Sequence, residues 1–220
     1  MPSLTIENYV KTIYQISTAS GGKSATTGKI AESLGVSPST VTSMLKTLSD
    51  SQLATYTPYE GVRLTDAGQG LALRMLRRHR LIELFLVQTL DMHWDEVHEE
   101  AENMEHAVSD QVVDRIEQYL GHPQVDPHGD PIPKADGSVE MAEGQSLASY
   151  QEGEPFLLTR VLDQSSDFLR YLSQTGLSLG AKGRVRSNRV EAGIVTVEVE
   201  GMETTLGHAA AAKILVVAVK

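Results

Sequence analysis

The chain has 220 residues, 40% of them hydrophobic, with 29 acidic against 19 basic side chains and a formal net charge of −10. It has no cysteine, which excludes disulfides, thiolate catalysis and thiolate metal ligation and leaves imidazole, carboxylate, amide and water as donors. No run approaches the roughly 20 uncharged residues that cross a bilayer and no basic, apolar leader opens the sequence, so a soluble, cytoplasmic protein without a membrane partner is expected.

Residues 4 to 19 place Ile6, Tyr9, Val10, Ile13, Tyr14 and Ile16 at helical spacing, which predicts a first helix. After the Gly21-Gly22 break, Thr26 or Thr27 can cap a second helix through Leu34, ended by Gly35. Ser37 as N-cap and Pro38 at the first helical position open a third, over 37–48, with Val41, Leu45 and Leu48 as its buried stripe and Met44 beside it. Extended runs at 53–57 and 62–65 flank Pro58-Tyr59-Glu60-Gly61, which is hairpin chemistry. Helix, turn, helix and hairpin together describe a winged helix-turn-helix over 1–72.

Thr65 then starts a long helix through Leu71, Leu76, Leu81, Leu84 and Phe85, followed by helices over about 94–107 and 110–120. Trp94, the single tryptophan, reads as a core or interface residue. The stretch 122–137 holds four of the eight prolines with several Gly and Asp, the composition of a linker. Asp126, His128 and Asp130 within it look metal-like, but beside Pro and Gly they read first as turn-shaping residues. Beyond it the period changes: 156–162, 183–189, 193–199 and 214–219 predict strands, with Val195, Val197 and Val199 alternating with polar neighbours. The expected architecture is mainly α with a small β domain. It comprises the winged domain, a helical dimerisation domain with its linker over 73–137, and an SH3-like β-barrel over 150–220.

Residues 1–80 hold nine Lys or Arg against five Asp or Glu, a balance of +4, while 81–220 hold ten against 24, a balance of −14. Local potential governs phosphate binding, so the front of the chain is the candidate for nucleic acid. On the third helix, Ser37, Pro38, Ser39, Thr40, Thr42, Ser43 and Lys46 lie at its start or opposite the buried stripe. Short hydroxyls allow close approach to a groove and bond phosphates or base edges, and lysine neutralises phosphate. Thr27 before it and Tyr59 and Arg63 on the wing, which also carries Tyr56, complete the expected double-stranded DNA contacts. No Arg, Asn or Gln offers bidentate base reading on that face, so shape readout supplies part of any specificity. A single short helix reads few bases, so a homodimer is expected, with Val97, Met104, Val108, Val112, Val113 and Ile116 as interface candidates.

His79 and Glu83 are four apart on the long helix, and His98, Glu102, Glu105 and His106 fall within about 100° of arc on the next. So many imidazoles and carboxylates on one stripe suit neither an apolar core nor a randomly decorated surface, and they predict a metal site. A metalloenzyme reading fails on spacing: His98-Glu99 has Glu102 where a zinc peptidase has its second histidine. No catalytic residue is expected. A winged regulator answering an organic ligand is the other alternative, and it predicts operator binding that ignores metal.

Taken together, Glu7-Asn8-Tyr9, Thr12-Ile13-Tyr14, Arg78-His79-Arg80-Leu81, Val97-His98-Glu99-Glu100-Ala101-Glu102, Glu105-His106 and His128-Gly129-Asp130-Pro131-Ile132-Pro133 give the chain its family likeness. It resembles the diphtheria toxin repressor family of iron- and manganese-dependent transcriptional repressors over nearly its whole length. The resemblance implies a metal corepressor, no organic cofactor, and two neighbouring sites. One would use His79, Glu83 and His98 with a donor from the SH3-like domain, Asp163 as the best match and Asp167 as the second. The other would use Glu102, Glu105 and His106 with Asn8 from the first helix. Iron-sensing members carry cysteine where this chain has Glu102 and manganese-sensing members carry glutamate. The resemblance therefore implies Mn2+, with Fe2+ as the alternative and Zn2+ binding in vitro by the Irving–Williams order. Asn8 stands where a manganese sensor has aspartate, and Lys11 where the short, tail-less sensors have glutamate.

Overall fold

A computed structural model describes residues 3–140 and 143–219. They divide into two compact units, one of residues 1–78 with 133–138 and the other of residues 79–132 with 139–220. The helical and β regions that the composition separates thus share one unit. No helix among the described residues is long and apolar enough to cross a membrane.

The first unit is built as its caps and stripes dictate. Helix α1 (Leu4–Ala19) starts at Ser3, whose side chain accepts the Ile6 N–H at 3.4 Å, and it buries Tyr9, Val10 and Ile13. Helix α2 (Thr27–Leu34) is capped by Thr26 and stopped by Gly35 at φ 62°, the left-handed geometry that glycine adopts without steric penalty. Helix α3 (Pro38–Asp50) begins at Ser37 and Pro38 and turns Val41, Leu45 and Leu48 inward. Strands β1 (Ala54–Thr57) and β2 (Gly61–Leu64) form the antiparallel wing, in register Ala54 to Leu64 and Thr57 to Gly61. Ile30, Ala31, Val41, Leu45, Leu48, Ala54 and Val62 join Tyr9, Val10 and Ile13 in one core. Each large aliphatic side chain there contributes about 1.5–3 kcal/mol on burial.

The long helix α4 (Asp66–Leu90) opens after Thr65, whose hydroxyl accepts the Gly68 N–H at 3.2 Å and donates to the Gln52 carbonyl at 2.7 Å. In the second unit, its later turns pack through Leu81 and Leu84 on Val113, Ile116 and Ile132. Ile82 and Leu86 pack on Val97 and Ala101. These partners come from α5 (Val97–Glu105), α6 (Asp110–Tyr119) and the loop beyond it. Val97, Val113 and Ile116 are therefore internal, while Val112 and Tyr119 remain exposed on α6. Helix α5 starts three residues later than its sequence pattern suggests, because Trp94 turns into the β-domain core and its indole N–H donates to Ser173 Oγ at 2.7 Å.

The β domain is an antiparallel sheet in the order β3-β8-β4-β5-β6-β7, formed by β3 (Gln145–Ser146), β4 (Pro155–Val161), β5 (Lys182–Arg189), β6 (Ile194–Val199), β7 (Met202–Gly207) and β8 (Ile214–Ala218). Val195, Val197 and Val199 alternate inward on β6 as their spacing predicts. Several elements go beyond the sequence expectation, among them the two-residue strand β3 and the two that follow. Strand β7 turns only Leu206 fully inward and lies at the sheet edge, so it lacks the alternation that marks a strand. Helix α7 (Ser166–Gln174) covers the core with Leu169 and Leu172.

The stretch expected to be a linker is ordered and packed. Asp126 to Gly129 and Ile132 to Pro133 are buried, and Val125 bridges Pro131. The His128 carbonyl accepts the Val161 N–H at 2.8 Å, which binds the loop to β4.

Candidate metal centre and DNA-contact face

One turn of α4 places His79 above Glu83, with Nε2 2.9 Å from Glu83 Oε1. From α5, Glu105 Oε2 lies 2.7 Å from His79 Nδ1, and His98 Nδ1 lies 3.1 Å from His79 Nε2 and 3.2 Å from Glu83 Oε1. The His79 and His98 rings meet edge to face at 4.9 Å between centroids. His106 Nε2 is 3.3 Å from Glu105 Oε1. His79, Glu83 and Glu105 are buried, whereas the His98 side chain is half exposed and leaves a route from solvent. His79 is therefore no part of an exposed basic patch with its neighbours Arg78 and Arg80.

Three sets of side chains bring ligand atoms within 4.8 Å of one another: His79, Glu83 and His98; His79, Glu102 and Glu105; and Glu83, Asp126 and His128. His79 belongs to the first two and Glu83 to the first and third. The arrangement is therefore a continuous chain of donors pinned by two residues of α4, where the sequence suggests two separate stripes.

The third set adds to the sequence reading of the loop. Asp126 and His128 do shape a turn, since Asp126 Oδ1 accepts the backbone N–H groups of His128 at 2.8 Å and Asp130 at 2.9 Å. They also face Glu83: His128 Nδ1 stands 3.9 Å from both Glu83 Oε2 and Asp126 Oδ1, is buried, and has no hydrogen-bond partner. An orphaned imidazole nitrogen between two buried carboxylates is a donor set that fits a divalent cation. The Asp-x-His spacing was the available signal. Asp130 has a different role, taking Arg80 at 2.9 Å and Arg160 at 2.5 Å.

Electrostatics point the same way. Burial alone would raise the Glu83 carboxyl, but His79, His98 and His128 outweigh it and hold Glu83 well below the ordinary carboxylate range. Asp126 is pushed well above it by burial and by the charges of Asp130 and Glu83, which Arg80 only partly offsets.

Asp163 and Asp167 are not brought to these clusters. Lys213 Nζ holds Asp163 at 2.6 Å and the Ser165 N–H takes its other oxygen, while Asp167 is fully exposed beside Arg170. In the first unit, Asn8 keeps a buried Oδ1 with no hydrogen-bond partner.

On α3, Ser37, Pro38, Ser39, Thr40, Ser43 and Lys46 are exposed and Thr42 is half-buried. Some of these hydroxyls are already engaged. Ser37 Oγ accepts the Thr40 N–H at 3.2 Å, and Thr42 donates to the Pro38 carbonyl at 3.0 Å. Thr27, Thr42, Lys46 and Tyr59 line a cleft of about 540 Å³ between α2, α3 and the wing. Tyr59 projects fully from the wing tip at φ 70°, and Arg63 donates to the Gly22 carbonyl at 2.9 Å.

Comparison with known proteins matches residues 1–62 to the iron dependent repressor N-terminal DNA binding domain, 65–134 to the iron dependent repressor metal binding and dimerisation domain, and 145–218 to the FeoA domain. The iron-dependent repressor IdeR of Mycobacterium tuberculosis is 31% identical over 220 residues, 93% of each chain. A manganese-dependent transcriptional repressor solved in complex with manganese superposes with a TM-score of 0.85 at 40% identity, over 97% of this chain and 100% of that one. The crystal structure of ScaR with bound Zn2+ superposes at 0.80 and 35% identity, over 99% and 100%.

Proposed function

The chain belongs to the diphtheria toxin repressor family of metal-dependent, DNA-binding transcriptional repressors, and on that premise we propose that divalent manganese is its corepressor. It is a regulator and not an enzyme. The observation that carries the choice of ion is the donor set. His79, Glu83, His98, Glu102, Glu105, Asp126 and His128 offer only imidazole and carboxylate, a set that suits a harder ion than one drawn to thiolate. The relative solved with manganese supports the same choice.

A bound divalent ion supplies two positive charges among crowded carboxylates. Glu83, Glu102 and Glu105 repel one another without it, and His79 can neutralise only part of that charge. Once compensated, the carboxylates hold α4, α5 and the Asp126–His128 loop together. His106 serves the Glu102 and Glu105 side of this cluster. This selects the arrangement in which two winged domains of a homodimer present Ser39, Thr40, Thr42, Ser43, Lys46, Tyr59 and Arg63 to palindromic half-sites. Thr27, Ser37 and Pro38 set the position of that face. Genes of metal uptake are the fitting target for a repressor that tightens when its ion is abundant.

Glu102→Ala is expected to abolish metal-dependent operator binding while leaving the melting curve of the metal-free chain in place. Glu102→Cys should move the ranking of Mn2+, Fe2+ and Zn2+ toward the softer ions, read by operator titration with each ion in turn. An unchanged ranking contradicts manganese selection by this carboxylate. Operator binding that ignores metal in every variant would instead favour an organic effector.

A further inference from the structure

Trp94 stands directly behind His128. Its carbonyl accepts the His128 Nε2–H at 2.9 Å, and its indole stacks on the imidazole with 5.9 Å between centroids and 19° between planes. A carbonyl can only accept, so this contact places the imidazole proton on Nε2. In the neutral ring Nδ1 is then a bare lone pair, and it is this atom that faces Glu83 and Asp126. The far side of the same residue is fastened to α7. The indole N–H donates to Ser173 Oγ at 2.7 Å, and Ser173 in turn donates to the Leu169 carbonyl at 3.1 Å. Asp95, the next residue, accepts Ser166 Oγ on its carbonyl at 2.9 Å and Arg170 Nε on its carboxylate at 3.2 Å. Trp94 is also part of the apolar core of the β domain.

We propose that Trp94 is a positioning residue that fixes the tautomer and orientation of His128 and so couples metal capture at Glu83, Asp126 and His128 to the seating of α7. The proposal rests on the reading that these three residues hold the ion. Groups that orient a metal-binding histidine from behind typically change affinity by about 10- to 100-fold. Ser173 touches none of the three donors among its hydrogen bonds, which makes it the place to loosen Trp94 without disturbing them.

Trp94 is the only tryptophan, so its emission reports on this one contact. The full chain, stripped of metal, is titrated with Mn2+ and followed both by tryptophan emission and by calorimetry, for the wild type, Ser173→Ala, Ser173→Thr and His128→Ala. The paramagnetic ion should quench Trp94 saturably in the wild type. Ser173→Ala should weaken the quenching site about 10-fold, Ser173→Thr should recover it, and His128→Ala should remove it. If His128→Ala removes the quench while Ser173→Ala keeps wild-type affinity, even with a lower melting temperature, the positioning role is overturned and the metal reading stands. A quench that survives His128→Ala with wild-type affinity overturns both. Should Ser173→Ala fail to fold, Trp94→Phe followed by calorimetry gives the same test, with wild-type affinity as the overturning result.

Discussion

Gly129→Ala is expected to cost about 4 kcal/mol or more, at the extreme of what single substitutions do, and to remove metal binding at Asp126 and His128 together. Gly129 sits at φ +87°, and a Cβ there would lie 2.0 Å from the Thr159 carbonyl oxygen and 2.7 Å from the Arg160 Cα. Both obstacles are backbone atoms of β4, so no rotamer change relieves the clash. The loop would have to lift off the strand, breaking the bond between the Val161 N–H and the His128 carbonyl and withdrawing His128 from Glu83. Gly121 separates this effect from simple conformational strain. It has φ +74°, and a Cβ added there would meet nothing within 4 Å, so Gly121→Ala should cost only the left-handed penalty of about 1–2 kcal/mol. Urea denaturation of both variants checks the difference, and similar losses would show that the close approach to β4 is unimportant.

Asp126→Asn should produce the second large effect, a loss of Mn2+ affinity at this cluster exceeding about 100-fold, with an accompanying change in how the metal-free chain responds to pH. Burial, followed by the charges of Asp130 and Glu83, raises Asp126 well above its ordinary value of 3.8. A carboxyl raised in the folded state binds its proton more tightly there than in the unfolded chain. Its stabilising contribution is complete below the unfolded value and is lost as pH rises through the folded one. The metal-free wild type should therefore lose stability as pH climbs above the ordinary carboxylate range. Glu83 titrates in the opposite sense at the acid end, since its carboxyl is lowered. Asparagine keeps the Oδ1 acceptor for the His128 and Asp130 N–H groups and cannot ionise, so it should flatten the slope at higher pH. Thermal melts across pH, with and without Mn2+, read both effects. A variant with the wild-type slope would show that Asp126 carries no ionisation penalty.

The winged domain was legible because its signals are local. Ser3, Thr26 and Ser37 cap the three helices, Gly35 stops one, and the apolar stripes repeat at helical period. The stripe of imidazoles and carboxylates on α4 and α5 was legible for the same reason, since four-residue spacing puts His79 beside Glu83 whatever the tertiary fold. What local reading cannot supply is the approach of distant segments. Asp126 and His128 are 43 and 45 positions from Glu83, and an aspartate that accepts two backbone N–H groups has the same sequence signature whether or not its carboxylate also faces a cation. Proline and glycine in that stretch read as a flexible connection, whereas here they build a tight turn buried on β4. Asp163 matched by position in the chain, but Lys213 pairs with it. Strand β7 escaped notice because an edge strand need bury only one side chain, here Leu206.

The central claim is that an ion held by these carboxylates and imidazoles controls DNA affinity. Its most direct test is the affinity of the full chain for an operator duplex, selected by the manganese-loaded protein, measured at fixed salt with metal removed and again with Mn2+. A tightening of about 5- to 150-fold on adding Mn2+, the range of ordinary allosteric coupling, is the predicted result. Equal affinity in the two conditions would contradict it.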